Sequence, residues 1–286
     1  MAMAKKPKTT ASSSDETATE AGRQKPTALD IASGEAKQGL ERSFAVLDLV
    51  AARPCRVIDV MRDMGLPWAT AHRTVKKLEK AQFLMLNPET SHYEIGPRMW
   101  HLGSSYLANN KMLKAAISYL AKDRDIRGVD IQIVERIGSY SVVIHAEKRQ
   151  VQEISKAQYG YHIPLHAGSK GQVLLAYESE AFQSMYLSQK LDALTASTIT
   201  DPDLLRQRLE TIRAEGFSQT EADVQTFTGS LAAPVFGAKG SIIGCVCLVY
   251  LKKVARDEAA IEALKEALLM MTHSLSVELG WHPHQA

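Results

Sequence analysis

Residues 68–80 gather side chains suited to one kind of chemistry. Thr70, His72, Arg73, Lys76 and Lys77 fall within about two helical turns. If the stretch is helical, Ala71, Val75 and Leu78 lie at i, i+4 and i+7 and form its buried face. The opposite face then carries Trp68, Ala69, Thr70, His72, Arg73, Lys76, Lys77 and Lys80. An arginine fork matches the acceptor edge of guanine, while lysines neutralise phosphates. A basic helix face is often merely solvated. Here four cations cluster against Glu79 alone, which favours a polyanionic duplex as the partner. Bulk charge adds nothing: the chain carries a formal +2, and within 39–96 Arg42, Arg53, Arg56 and Arg62 are offset by Glu41, Asp48, Asp59 and Asp63.

The neighbouring sequence supplies what would hold such a helix in a groove. Val57, Val60, Met61 and Met64 repeat at helical spacing, so a short helix precedes it. Gly65 stands where that helix must turn sharply, and Pro67 suits the first turn of the next. Afterwards Phe83, Leu84 and Leu86, then Tyr93 and Ile95, flank Asn87-Pro88-Glu89-Thr90, the pattern of a hairpin. Helix, turn, basic helix and hairpin are the parts of a winged helix-turn-helix. An opening helix precedes them, with Leu40, Phe44, Leu47 and Val50 or Ala51 expected on its core face and Pro54 at its end. Residues 97–110 read as a further helix with Met99, Leu102, Tyr106 and Leu107 at near-helical spacing. Trp100 lies off that stripe; a core position is expected for it ahead of an interface with a second chain.

A second set of candidates lies in the C-terminal part. Ser169 and His166 could serve as nucleophile and base, but no G-x-S-x-G elbow surrounds them. A histidine in an apolar-flanked loop is more often structural. Cys245 and Cys247 would share one face of a strand, yet two thiols without further ligands make a weak metal motif. His282 and His284 sit in a terminal tail. Neither catalysis nor a metal or other cofactor is expected. The surrounding pattern mixes helices (111–122, 201–215 and a long one through Ile261, Leu264, Leu268, Met271, Leu275 and Leu279) and, over 166–177, a loop leading into a helix, with strands (131–134, 140–146, 230–236, 242–250). Asp201-Pro202 is a helix start and Gly216 its stop. The expectation is an α+β domain with a largely antiparallel sheet.

Two distant regions resemble the IclR family of bacterial transcription regulators in the right order. GLERSFAVLDLVA, GLPWATAHRTVKKLEKAQFL and NPETSHYEIGPRMWHLG resemble its DNA-binding domain and linker helix. IPLHAGSKGQVLLAY, ITDPDLLRQRLETIRAEGFSQTEAD and SLAAPVFGAKGSIIGCVCLVY resemble its effector domain. The resemblance, over about 39–280, implies a GAF-like or profilin-like fold for the second domain and a ligand-responsive regulator that binds operator DNA. It adds Arg42 and Ser43 of the opening helix to the DNA-contacting set, and it implies that the linker helix pairs subunits into dimers and dimers of dimers. It places an effector pocket at Gly168, Ser169, Lys170, Thr220, Ser230, Cys247 and Val249. Lys170 stands where the family generally has a small or apolar residue, Ser230 where it often has cysteine, and Phe227 where glycine is frequent. Cys247 and Val249 replace serines of relatives that bind small keto acids. A small organic acid is the implied ligand, and an aromatic one suits these departures better than a very small keto acid. The alternative is a small-molecule-modifying enzyme with an accessory helix-turn-helix.

Length and composition agree. The 286 residues suffice for two modest domains, and 45% apolar with 23% charged residues is a globular composition. No apolar run could span a bilayer, the N-terminal lysines precede no signal-like apolar segment, and three cysteines build no disulfide framework. The default is a cytoplasmic protein without a membrane partner. The expected organisation is a disordered tail (1–37), too polar to offset chain entropy, then a winged helix-turn-helix (38–96), a linker helix (97–111) and an effector and oligomerisation domain (112–281).

Overall fold

The computed structural model describes residues 39–123, 126–149, 160–252 and 257–282. The expected tail, 1–37, and His284 lie outside them. The chain divides into two compact units. The first runs through Lys77 and takes in Leu86–Glu94; the second holds Leu78–Met85 and continues from Ile95.

Three helices open the chain: α1 (Gly39–Ala52), α2 (Val57–Asp63) and α3 (Trp68–Lys80). Gly65, at φ +60°, makes the α2–α3 turn in a conformation that side chains disfavour. Strands β1 (Leu84–Leu86) and β2 (Tyr93–Ile95) form the hairpin, closed where Asn87 N–H donates to the His92 carbonyl at 2.8 Å. Asn87 Oδ1 also accepts from Glu89 N–H at 3.0 Å, the Asx turn expected of such a loop. Burial of Ala71, Val75 and Leu78 on α3 is as the spacing predicts; Thr74 joins them by donating its hydroxyl to the Thr70 carbonyl at 2.9 Å. The expected core face of α1 is wrong in part. Val46 and Val50 are buried, while Leu40 is 68% and Phe44 45% exposed and Ala51 also faces out. This helix carries apolar residues on two adjoining stripes, which periodicity cannot rank; the compact β-branched pair takes the core.

Helix α4 (Pro97–Asn109) follows the hairpin and has no buried residue. Its start is tied to the segment before β1: Gly96 N–H donates to the Phe83 carbonyl at 2.8 Å, and the Arg98 guanidinium lies 4.9 Å over the Phe83 ring. Trp100 is 74% exposed, so its expected core role does not hold within this chain. Asn110 ends α4 and caps α5 (Lys111–Lys122), accepting from Leu113 N–H at 2.9 Å.

The remaining elements build one sheet clad on both faces. Strands β3 (Asp130–Ile137), β4 (Tyr140–Lys148), β5 (His162–Pro164), β6 (Ser218–Glu221), β7 (Thr228–Phe236) and β8 (Ile242–Leu251) pair in the order β5-β4-β3-β8-β7-β6, every ladder antiparallel. Helices α6 (Gly168–Ala176), α7 (Glu180–Leu187), α8 (Pro202–Glu215) and α9 (Glu258–Glu278) complete the unit. Short β5, β6 and α7 carry too little periodicity to stand out in sequence. The period of two sorts the sheet's side chains. Ile131, Ile133, Leu231, Ala233, Val246, Leu248 and Tyr250 pack with α5 and α9. Val134, Ala232, Cys245, Cys247 and Val249 face the opposite way, with α6, α7 and α8. Asp201 caps α8 through Asp203 and Leu204 N–H, and Gly216 ends it at φ +81°, as the sequence predicts.

Every residue of α6 is buried. Such close approach constrains Gly171, where an added Cβ would lie 2.6 Å from the Leu165 carbonyl oxygen. Gly171→Ala should therefore destabilise the protein by about 1–3 kcal/mol through overpacking. Denaturant titration checks this; an unchanged midpoint would contradict the packing described.

Candidate functional site

The basic face of α3 is solvent-exposed. Trp68, Ala69, Arg73, Lys76, Lys77 and Lys80 are exposed, and Thr70 and His72 half-buried. Trp68 stacks on His72, with ring centroids 4.8 Å apart and planes 13° apart, which fixes the two rings at the start of the helix. Lys76 Nζ lies 5.8 Å from the centroid of the Tyr93 ring on β2. On α1, Arg42 and Ser43 are half-buried, and Ser43 donates to the Gly39 carbonyl at 3.3 Å.

The second site is a cavity between the sheet and the start of α6. Its walls include all seven residues named from the sequence: Gly168, Ser169, Lys170, Thr220, Ser230, Cys247 and Val249. Among the described residues Gln132, Tyr161, Ile163, Asp223, Val224, Gln225 and Thr228 also line it; the sequence reading missed them. The register explains why the pieces meet. Gln132 pairs with Cys247, Val249 with Ser230, and Ser230 with Thr220, so a row of small and polar side chains crosses this sheet face. Gln132 interrupts an apolar run in β3, a signal that was readable; Asp223 and Tyr161 lie outside regular elements and carry none. Phe227 is 54% exposed and does not line the cavity.

Hydroxyls line one wall. Ser169 Oγ donates to Ser230 Oγ at 2.7 Å and lies 3.7 Å from Cys247 Sγ; Thr220 Oγ1 lies 3.1 Å from Ser230 Oγ. Asp223 caps α6 from the segment after β6: its Oδ2 accepts from Gly168 N–H at 2.9 Å and Gln172 Nε2 at 3.1 Å. Among the described residues its Oδ1 is buried without a hydrogen-bond partner, and burial raises the carboxyl's pKa. Gly168 accepts φ +70° here, where a Cβ would meet Val224 Cγ2 at 2.8 Å. Lys170 does not point into water. It is 6% exposed, donates from Nζ to Gln132 Oε1 at 2.8 Å, and sits 5.2 Å from the centroid of the Tyr161 ring. Burial pushes its pKa down. The Cys247 and Cys245 thiols beside it act in the opposite direction, and burial outweighs them.

The catalytic pair weighed from sequence has no catalytic geometry. His166 Nδ1 lies 2.9 Å from Tyr186 Oη and Nε2 3.0 Å from the Asp192 carbonyl, so both ring nitrogens are engaged away from Ser169. Burial also lowers the histidine's pKa. Cys245 and Cys247 are buried free thiols. No group of three or more His, Cys, Asp or Glu side chains among the described residues could hold a metal. Among those residues, no helix is long and apolar enough to cross a membrane.

Comparison with known proteins agrees with this architecture. The family model for the bacterial transcriptional regulator IclR C-terminal region matches residues 105–277, and that for the IclR helix-turn-helix domain matches 39–88. The transcriptional repressor AllR of Klebsiella pneumoniae is 26% identical over 230 residues, 79% of this chain and 83% of that protein. A putative IclR regulator of Silicibacter sp. TM1040 shares the fold with a TM-score of 0.76 at 20% identity, covering 85% of this chain and 96% of that one. An IclR homologue of Microbacterium hydrocarbonoxydans, solved with 4-hydroxybenzoate, has a TM-score of 0.65 at 22% identity, covering 80% and 94%. The chain belongs to the IclR family of bacterial transcription regulators. It is a DNA-binding regulator with an effector-binding domain, not an enzyme.

The buried lysine makes a testable demand on stability. Because folding holds Lys170 below its ordinary value of 10.5, the unfolded chain binds more protons between the folded value and 10.5. Stability therefore rises with pH across that window. Lys170→Met removes the cost, so the melting temperature should rise at neutral pH. The gain should shrink as pH climbs toward 10.5. Calorimetric melting checks it, and a variant less stable than wild type at neutral pH would contradict the assignment.

Proposed function

We propose that this regulator represses transcription in the cytoplasm and that a small organic acid, aromatic or keto, bound in the cavity adjusts its grip on operator DNA. The observation that carries the reading is Lys170, whose amine is walled into the cavity beside hydroxyls and an amide. A carboxylate entering there gains a charge-assisted hydrogen bond, which is stronger than a neutral one. Two relatives lend support: AllR is named a repressor, and the Microbacterium homologue holds an aromatic acid. In this reading residues 38–96 bind DNA, 97–111 link, and 112–281 hold the effector and oligomerise. Thermal-shift screening of the full chain against aromatic and keto acids tests it, since a ligand of the folded state raises the melting temperature. A panel that leaves the melting temperature unmoved would contradict it. Lys170→Met should weaken a bound acid about tenfold or more, ~1.4 kcal/mol, while operator affinity without ligand stays near wild type.

On DNA, Trp68, Ala69, Thr70, His72 and Arg73 lie toward the start of α3 and would read base edges. Lys76 and Lys77 would hold phosphates, with Arg42 and Ser43 bracing the backbone from α1. Arg73→Ala should cost about 1–3 kcal/mol and relax sequence preference. Lys76→Ala should weaken all sequences alike and lower the salt slope by roughly 0.9. Anisotropy titrations on a selected operator and a scrambled duplex distinguish the two roles; equal, sequence-independent losses would refute the division.

Helix-turn-helix readers bind paired half-sites, so a symmetric dimer is expected, with dimers pairing further. Exposed Trp100, Leu102 and Tyr106 on α4 suit the contact. Light scattering should give a dimer or tetramer at micromolar concentration, and a lone monomer would contradict this.

A further inference from the structure

Lys170 is an unusual lysine by geometry. Its side chain is 6% exposed, and its Nζ hydrogen-bonds the neutral amide oxygen of Gln132 at 2.8 Å. Among the described residues no carboxylate forms an ion pair with it. The Tyr161 ring lies 5.2 Å away at its centroid, and the Cys247 and Cys245 thiols are near enough to act on the amine electrostatically. Gln132 and Tyr161 line the same cavity as Lys170, so the amine end stands at the cavity wall. An ammonium group needs water or counter-charge; a neutral amine needs neither. Burial accordingly pushes the pKa down. A lysine so desolvated offers its lone pair more readily than an exposed one, and is a better nucleophile toward carbonyl carbon. The competing nucleophile is out of play, because burial pushes the Cys247 thiol up and keeps it protonated.

We propose that Lys170 captures carbonyl-bearing ligands covalently, as an imine between its Nζ and the carbonyl carbon of a keto acid or aldehyde. The proposal rests on the reading of this cavity as the effector site and names the ligand's reactive group. The Nζ lone pair attacks the carbonyl carbon while the C=O π pair moves to oxygen. Proton transfer from nitrogen to oxygen gives a carbinolamine. Loss of that oxygen as water, with the nitrogen's remaining proton, leaves the C=N bond. One amine and one carbonyl give one imine and one water, with no change of oxidation state. Hydrolysis reverses the sequence, as a reversible signal requires. Removal from bulk water disfavours hydrolysis of the imine.

Trapping tests the proposal. The full-length protein is incubated with pyruvate or 4-formylbenzoate plus cyanoborohydride, which reduces an imine to a stable amine, and adducts are mapped by peptide mass spectrometry. Lactate and benzoate, acids without an electrophilic ketone or aldehyde, serve as controls in parallel thermal shifts. The expected result is a reduced adduct on Lys170 at a dose at least tenfold below that labelling the exposed lysines. It should be absent from Lys170→Arg, which keeps a long basic side chain for the fold. Adducts scattered over exposed lysines with no preference for Lys170 would overturn the proposal. If acids, including the controls, raise the melting temperature while Lys170 stays unlabelled, imine capture fails and the effector reading survives. If nothing binds and nothing is trapped, both fail.

Discussion

Helix α6 has no face to solvent, and that constraint organises the effector unit. The N–H groups at a helix start need acceptors, and in a buried helix water cannot supply them. Asp223 and Thr220 provide them from outside the helix, at 2.9 Å to Gly168 N–H and 3.1 Å to Ser169 N–H. Those contacts draw β6 and the segment after it against α6. The same packing carries Lys170 inward onto Gln132 of β3. Burying an amine and a carboxyl in one region costs stability, and both pKa values move toward neutral forms in consequence. A site that opposes its own charges is suited to a ligand that resolves them.

The sheet beneath makes the cavity possible. One face carries the apolar cluster that anchors α5 and α9. The other is broken by polar side chains along the Gln132–Cys247 and Thr220–Ser230–Val249 rows. A deliberate lapse in a core face is expensive, and natural proteins confine such lapses to functional places. The α3 surface is different in kind. Its cations stay in water, cost little to display and act through counterion release.

Much of this was legible in sequence, for identifiable reasons. The helix-turn-helix followed from the 3.6 period of Ala71, Val75 and Leu78 and from Gly65 and Pro67 at the turn. The long strands and α8 announced themselves by alternation and by the Asp201-Pro202 cap. Resemblance named seven residues that prove to line one cavity. What escaped depended on tertiary context. Two stripes on α1 are equally apolar, so the sequence could not choose Val46 over Phe44. Trp100 gave no sign that α4 would stay unburied within its own chain. Asp223 and Tyr161 meet Lys170's neighbourhood only through folding, and no spacing rule reaches from residue 132 to 223. Lys170 itself was noticed, but whether it faced water or the interior was decided by the burial of α6.

The central claim is that burial in the cavity disfavours the charged form of Lys170 and that an organic acid restores it. Heteronuclear NMR of the Lys170 Cε–Hε signal, assigned by its loss in Lys170→Met, reads this directly. The account predicts a titration midpoint below the ordinary 10.5 in the ligand-free protein, and a shift toward the charged form when a non-carbonyl aromatic acid is added. A midpoint at or above that ordinary value, indifferent to added acid, would contradict it.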